Sequence, residues 1–198
     1  ISLLKNINKS FESVKKNQWN YEPFVGQELA CLSIGVIGYG RLGNFMSNFC
    51  KSFGMKVYIY DPYKNSKKYN NCSLNKIAKY CDIISLHVHL KEDTKNMISF
   101  KFLKKLKKKP IIINTSRGEI VNEDDIIRCL KNGIISGYGT DVIEDEFGKI
   151  NDSPIIKGIK KNLNILVTPH VGGMSWQGQN RAWIWSIGKF DFIKKFLK

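Results

Sequence analysis

The sequence predicts an α/β fold built on a doubly wound parallel sheet, and three observations carry that reading. Short Val/Ile-rich runs alternate with helical patterns from residue 33 onward. A glycine-rich turn, Gly38-Tyr39-Gly40-Arg41-Leu42-Gly43, joins the first run to the first helix of that alternation. An acid, Asp61, ends the second run. Near-continuous apolar runs suit parallel strands buried on both faces. Repeated β–α–β units bring such strands into one sheet by right-handed crossovers, the Rossmann arrangement.

In chain order, the expected strands are Ser33–Gly38, Lys56–Tyr60, Asp82–His87, Pro110–Asn114, Ile134–Thr140 and Asn164–Thr168. The clearest helix between them is Leu42–Phe53, with apolar residues at 42, 45, 46, 49, 50 and 53 reading as one stripe and Gly54 as its C-terminal stop. A second helix is Glu123–Asn132. Asn122 stands at its N-cap, acids fill its first turn, Ile126, Ile127 and Leu130 form its inner face, and Gly133 ends it. The lysine-dense stretch from Lys101 to Lys109 interleaves Phe102, Leu103 and Leu106, the pattern of an amphipathic helix with a solvated outer face.

Two segments stand outside this alternation. Residues 1–30 read as a helix carrying Leu3, Leu4, Ile7, Phe11 and Val14, then an extended stretch from Trp19 to Val25. Residues 177–198 read as one helix with Ile184, Ile187, Phe190, Ile193, Phe196 and Leu197 along one side. The expected division is therefore a linker over 1–30, a dinucleotide-binding domain over 31–176 and a terminal helix over 177–198. With 198 residues the chain suits one large domain better than two. It opens on Ile1 without a signal-peptide layout, and the expectation is a portion of a longer protein.

Composition narrows the function. The formal net charge is +15, but the lysines are scattered rather than gathered on one motif, so nucleic acid is not the expected partner. No apolar run is long enough to span a bilayer, and no membrane partner is expected. The five cysteines, Cys31, Cys50, Cys72, Cys81 and Cys129, are odd in number and form no CxxC. That argues against a disulfide framework or a metal site, and a reducing cytoplasm is expected. Cys50 and Cys129 sit on apolar helix faces, where Cys acts as a small hydrophobe.

The chemistry begins at the glycine-rich turn. Gly38 permits the tight turn, Gly40 lets backbone approach a pyrophosphate, and Gly43 allows close helix–strand packing. The helix N-terminus aims free N–H groups at the phosphates. Asp61 can accept from both ribose hydroxyls and would repel a 2′-phosphate, which favours NAD over NADP, while Lys64, Lys67 and Lys68 just downstream soften that repulsion. Arg117, Asp141 with Glu146, and His170 follow three other strand ends. In a doubly wound sheet all of these ends face one crevice. Hydride transfer to a 2-oxo acid needs a cation for the carboxylate, a role for Arg117. It also needs an acid for the new alkoxide, a role for His170, with Glu146 holding the imidazole and favouring its charged form.

These residues resemble the D-isomer-specific 2-hydroxyacid dehydrogenases from about residue 20 to about residue 180. The matching stretches are Ile34–Gly43 with Asp61-Pro62, Asp82–His87, Ile113–Gly118, Gly139–Val142 and Thr168–Gly173. The resemblance implies an NAD-dependent oxidoreductase interconverting a 2-oxo acid and a D-2-hydroxy acid, with Arg117 on the substrate and His170 paired with Glu146 as acid/base. It implies a cofactor set of Gly38, Gly40, Arg41, Leu42, Gly43 and Asp61, then His87 and Thr94 on the adenine side, Thr115 and Ser116 in the cofactor-lining turn, Asp141 at the nicotinamide carboxamide, and Gly172 and Gly173. It further implies a homodimer formed through residues 1–30 and the cofactor domain, and a terminal helix returning to a substrate domain that this sequence lacks. Three positions depart from the family: His89 and Phe147 where Pro is common, and Asn122 where Asp is frequent. A non-catalytic NAD-sensing or interaction module of the same family is the competing reading.

Overall fold

The computed structural model describes residues 1–148 and 150–196, the last six of them as backbone only. Every expected strand is present, most of them trimmed at the ends: β1 Ser33–Ile37, β2 Lys56–Tyr60, β4 Ile83–Leu86, β5 Ile111–Asn114, β6 Gly137–Thr140 and β7 Ile165–Val167. A further short strand, β3 Asn70–Asn71, was not foreseen, because two polar residues carry no apolar run. Among the described residues these form one seven-stranded, all-parallel sheet in the order β3-β2-β1-β4-β5-β6-β7. The order reverses at β1 and β4, and the crevice at their carboxyl ends is where such sheets bind ligands.

Helices cover both faces: α1 Ile7–Lys15, α2 Arg41–Ser52, α3 Leu74–Tyr80, α4 Phe100–Leu103, α5 Glu123–Lys131, α6 Pro154–Lys160 and α7 Trp176–Phe196. One face packs Ile37, Ile84, Leu86 and Ile112 against Ile77, Leu103, Ile126, Cys129 and Ile155. The other packs Ile34, Val36, Val57 and Ile59 around Cys50 and Met55, with Leu4 against it. Both helix-borne cysteines, Cys50 and Cys129, are buried as expected.

α2 corrects the sequence reading. The six apolar positions were read as one stripe, yet they divide: Cys50 is buried and Met46 packs beside it on the core, whereas Leu42, Phe45, Phe49 and Phe53 are 52–64% exposed, and the other buried residues are Gly43 and Ser47. The reason is distance. A Cβ on Gly43 would sit 2.0 Å from the Gly38 carbonyl oxygen, so the helix start lies almost on the strand. Only small side chains fit beneath it, and the aromatic ones turn outward.

The lysine-rich stretch is a second correction. Helix spans only Phe100–Leu103, and a turn follows. Phe102 and Leu103 are fully committed to the core within that one turn, and Pro110, which opens the way to β5, leaves no room for more. The caps of α5 are as expected. Asn122 Oδ1 accepts from Asp125 N at 3.0 Å, and Gly133 adopts φ +63° past the last turn. At the N-terminus the helix starts at Ile7 rather than Leu3, and Glu22–Phe24 forms a 3₁₀ turn inside the stretch expected to be extended. In α7, Ile184, Ile187 and Phe190 are exposed; Ile193, Phe196 and Leu197 lie outside the described side chains.

At the opposite end of the sheet from the crevice, Asp82 ties three segments together. It accepts from Ser33 N (2.9 Å) and Ser33 Oγ (2.7 Å) and pairs with Lys108 at 2.8 Å. Burial pushes its carboxyl up, but the bonds from Lys108 and Ser33 outweigh this and hold it below the usual value. A carboxyl depressed on folding contributes stability above its unfolded value of about 3.9, and that contribution is lost as pH falls through the lower folded value. Below about pH 4 the melting temperature should therefore fall more steeply in the wild type than in Asp82→Asn; parallel curves would contradict the assignment.

Candidate active site

Three groups of loops at the carboxyl ends of the strands build the crevice. The first is the glycine-rich turn between β1 and α2. Gly38 has φ +93°, and a Cβ there would meet the His87 carbonyl oxygen at 2.6 Å. Gly40 has nothing within 4 Å of its virtual Cβ, leaving bare backbone facing the crevice. No side chain caps the start of α2, so its first N–H groups are uncommitted at Arg41 and Leu42. Asp61, just past β2, is held by three backbone donors: Tyr39 N to Oδ2 at 2.7 Å, and Tyr63 N and Lys64 N to Oδ1 at 2.8 and 3.0 Å. Its carboxylate is thereby fixed beside the glycine turn. Lys68 is turned away, donating to Asn48 Oδ1 at 2.9 Å and lying over the Tyr69 ring. These residues fit a dinucleotide with an unphosphorylated ribose.

The loop after β4 is the second group. His87 lies against Ser85 Oγ at 2.9 Å, and burial pushes its imidazole down to about 4, so it stays neutral at physiological pH. Thr94 Oγ1 donates to the His89 carbonyl (2.6 Å) and accepts from Lys91 N (2.8 Å), which folds this loop on itself. Lys91 lies over the Tyr63 ring, 5.7 Å from its centroid, and so links the loops after β2 and β4.

The third group follows β5, β6 and β7. Sequence reading missed Asn114, the buried residue that shapes the Arg117 turn. Its Oδ1 accepts from Ser116 N (3.1 Å) and its Nδ2 donates to the Arg117 carbonyl (2.8 Å). An Asn at a strand end followed by Ser and Gly is the available signal. Ser116 Oγ donates to the Leu86 carbonyl at 2.8 Å, Thr115 is exposed, and the Arg117 guanidinium rests on the Ser116 carbonyl at 2.7 Å.

His170 and Glu146 meet. Nδ1 of the imidazole lies 2.7 Å from Glu146 Oε2, and the ring is half exposed. His170 has φ +53°, a conformation that a non-glycine residue holds only when its surroundings over-determine it. Asp141 supplies that constraint. Its Oδ1 accepts from Thr168 Oγ1 and Val171 N, and its Oδ2 from Gly172 N at 2.8 Å. Burial would raise its carboxyl, yet these bonds, from Thr168 first, hold it below the ordinary value. A Cβ on Gly172 would sit 2.9 Å from Asp141 Oδ2, while Gly173 faces open space. The structure thus joins His170, Glu146 and Asp141. Arg117 makes no hydrogen bond to them; it follows β5, one strand from β6, which leads to Asp141 and Glu146, and two from β7, which leads to His170. Beside the pair lies a cleft of 580 Å³ lined largely by apolar side chains, among them Phe147, Ile159, Val167 and Met174.

A parallel sheet with an uncapped glycine turn, a fixed acid after β2 and a His–Glu pair at the same edge defines a dinucleotide-binding oxidoreductase domain. The family model described as "D-isomer specific 2-hydroxyacid dehydrogenase, NAD binding domain" matches residues 1–172, and the chain belongs to that family as its NAD-binding domain. It is 33% identical to the D-3-phosphoglycerate dehydrogenase of Haemophilus influenzae over 95% of this chain and 46% of that protein. It is 35% identical to the glycerate dehydrogenase of Methylorubrum extorquens over 93% and 58% of the two chains. Among solved structures, the D-lactate dehydrogenase of Aquifex aeolicus, complexed with NAD and lactic acid, superimposes with a TM-score of 0.90 at 31% identity, covering 99% of this chain and 64% of that one. The chain thus spans about half the length of the curated relatives it matches. Among the described residues, no helix is long and apolar enough to cross a membrane.

Proposed function

We propose that this chain is the cofactor half of an NAD-dependent enzyme that interconverts a 2-oxo acid and a D-2-hydroxy acid, with His170 as acid/base, Glu146 as its partner and Arg117 as the substrate cation. The observation that carries this is the 2.7 Å Nδ1–carboxylate contact on a half-exposed imidazole at the mouth of the crevice. Glu146 occupies Nδ1, so Nε2 is the nitrogen turned to substrate. In the reducing direction Nε2–H gives its proton to the carbonyl oxygen as charge develops there; in the oxidising direction the neutral ring takes it back from the hydroxyl. Arg117 grips the substrate carboxylate with two parallel bonds. Bound NADH supplies the hydride. Gly38, Gly40, Gly43 and the first N–H groups of α2 would hold its pyrophosphate, Asp61 its ribose, and the turns at Thr115, Asp141 and Gly172 its nicotinamide end.

The test of this reading is NADH oxidation by the full-length protein with a panel of 2-oxo acids. Turnover with at least one is expected. Tight NADH binding with no turnover would instead favour the NAD-sensing module.

Cofactor choice gives a separate expectation. With Asp61 fixed by three N–H groups and Lys68 engaged elsewhere, NAD(H) should bind at least tenfold more tightly than NADP(H), roughly 1.4 kcal/mol, and Asp61→Ala should narrow the gap. Equal affinities by calorimetry would contradict it.

The proposed division is a dimerisation segment over 1–30, the NAD domain over 31–176 and a terminal helix over 177–198 that meets a substrate domain, in a cytoplasmic homodimer. Support for the dimer is the apolar surface left uncovered on the first segment (Phe11, Trp19, Tyr21, Val25) and on the outer face of α2.

A further inference from the structure

Glu123 is the first residue of α5, and a Glu there ordinarily serves its own helix by facing the free N–H groups of the first turn. Here it does not. Asn122 already caps the helix, and the Glu123 carboxylate is buried and reaches across to another segment. Oε1 accepts from Glu144 N at 2.9 Å, and Oε2 accepts from Ser153 Oγ at 3.0 Å. Those two donors stand on either side of Glu146 in the chain, within the connection from β6 to α6, whose last residue is Ser153. Burial raises this carboxyl, so the group carries a desolvation cost that the two bonds offset.

The same connection is pinned from a second side. Gly118, next to Arg117, lies so close to it that a Cβ would fall 2.0 Å from the Ile143 carbonyl carbon and 2.3 Å from Glu144 N. Gly118 lies in the short stretch between β5 and α5, and Glu123 opens α5. The turn that carries Arg117 and the connection that carries Glu146 are therefore held to each other by one backbone contact and one buried carboxylate.

We propose that Glu123 is a positioning residue for the acid/base pair, which fixes the Glu144–Ser153 connection so that Glu146 is presented to His170 Nδ1. This rests on the reading of Glu146 and His170 given above. It differs from a purely stabilising role because the carboxylate acts on His170 only through Glu146.

The test uses the 198-residue chain and needs no turnover. Histidine-ring NMR follows the titration of His170, one of three histidines, identified by the signal lost in His170→Ala. Glu146→Gln removes the anionic partner and should lower the His170 midpoint. Glu123→Ala should lower it by half of that shift or more. Glu123→Gln, which keeps one acceptor oxygen, should shift it by less. The double variant Glu123→Ala/Glu146→Gln should shift it no further than Glu146→Gln alone, because one effect passes through the other. A folded Glu123→Ala whose midpoint stays at the wild-type value, while Glu146→Gln moves it, would overturn the positioning role and leave the pair intact. Should the Ala variant not fold, Glu123→Asp takes its place: one methylene shorter, it cannot reach both Glu144 N and Ser153 Oγ, and an unshifted midpoint there overturns the positioning role equally. An unshifted midpoint in Glu146→Gln would remove the ion pair itself, and both readings with it.

Discussion

Replacing His170 with Ala in the full-length enzyme should lower turnover by roughly a hundredfold to ten-thousandfold, the usual worth of a positioned acid/base. The size of the loss follows from the geometry. The ring sits on a turn held in a left-handed conformation by Asp141 and in contact with Glu146, so its Nε2 is oriented before substrate arrives. A water in its place would have neither the orientation nor the anionic partner. NADH affinity should change by less than a few-fold, because in the proposed site the ring faces the nicotinamide end, while the pyrophosphate and ribose are assigned to the glycine turn and Asp61. Glu146→Gln should behave differently, displacing the pH optimum more than it lowers the maximal rate. Steady-state rates across pH, with calorimetric NADH affinities, separate the two variants. Near-normal turnover of His170→Ala would mean that another group supplies the proton.

The second large effect concerns the 198 residues taken alone. They should bind NADH, because the glycine turn, Asp61 and the start of α2 are all present and formed. They should turn over 2-oxo acids slower by several powers of ten than the full-length enzyme. Arg117, Glu146 and His170 line only one side of the proposed cleft, and positioning against a second wall, with water excluded, contributes that much to reactions of this kind. The isolated chain should also associate. Phe45, Phe49 and Phe53 on α2, Trp19 and Tyr21 on the first segment, and Trp183, Trp185 and Phe190 on α7 are all more than half exposed. Light scattering should find a dimer or larger species. A monomer with full turnover would contradict both expectations.

The strands were legible because parallel, doubly covered strands must be apolar along their length, and the glycine turn was legible because each glycine answers one steric demand. The pairing of His170 with Glu146 was legible from strand ends converging on one crevice. The orientation of α2 was not. Its apolar residues recur at helical spacing, but the face that packs is chosen by how closely Gly43 lets the helix approach, and periodicity does not record closeness. Lys101–Lys109 misled in the other direction: Phe102 and Leu103 fill the core within a single turn, and the rest of the pattern has nothing to pack on. Asp141 was placed at the crevice by the end of its strand, but its hydrogen bonds to the 168–172 turn depend on residues far along the chain. Asn114 and Glu123 went unseen for the same reason, since their partners are identifiable only once the loops are folded.

The measurement that tests the central claim most directly is the configuration of the product. The full-length enzyme is given NADH and the 2-oxo acid it turns over fastest, and the 2-hydroxy acid formed is resolved on a chiral column. A single enantiomer is expected, because the proposed site holds the cofactor on the glycine turn, the proton donor at His170 and the carboxylate at Arg117 and so offers one face of the carbonyl; membership of the D-isomer-specific family makes it the D-enantiomer. An L-product or a racemic mixture would contradict the account.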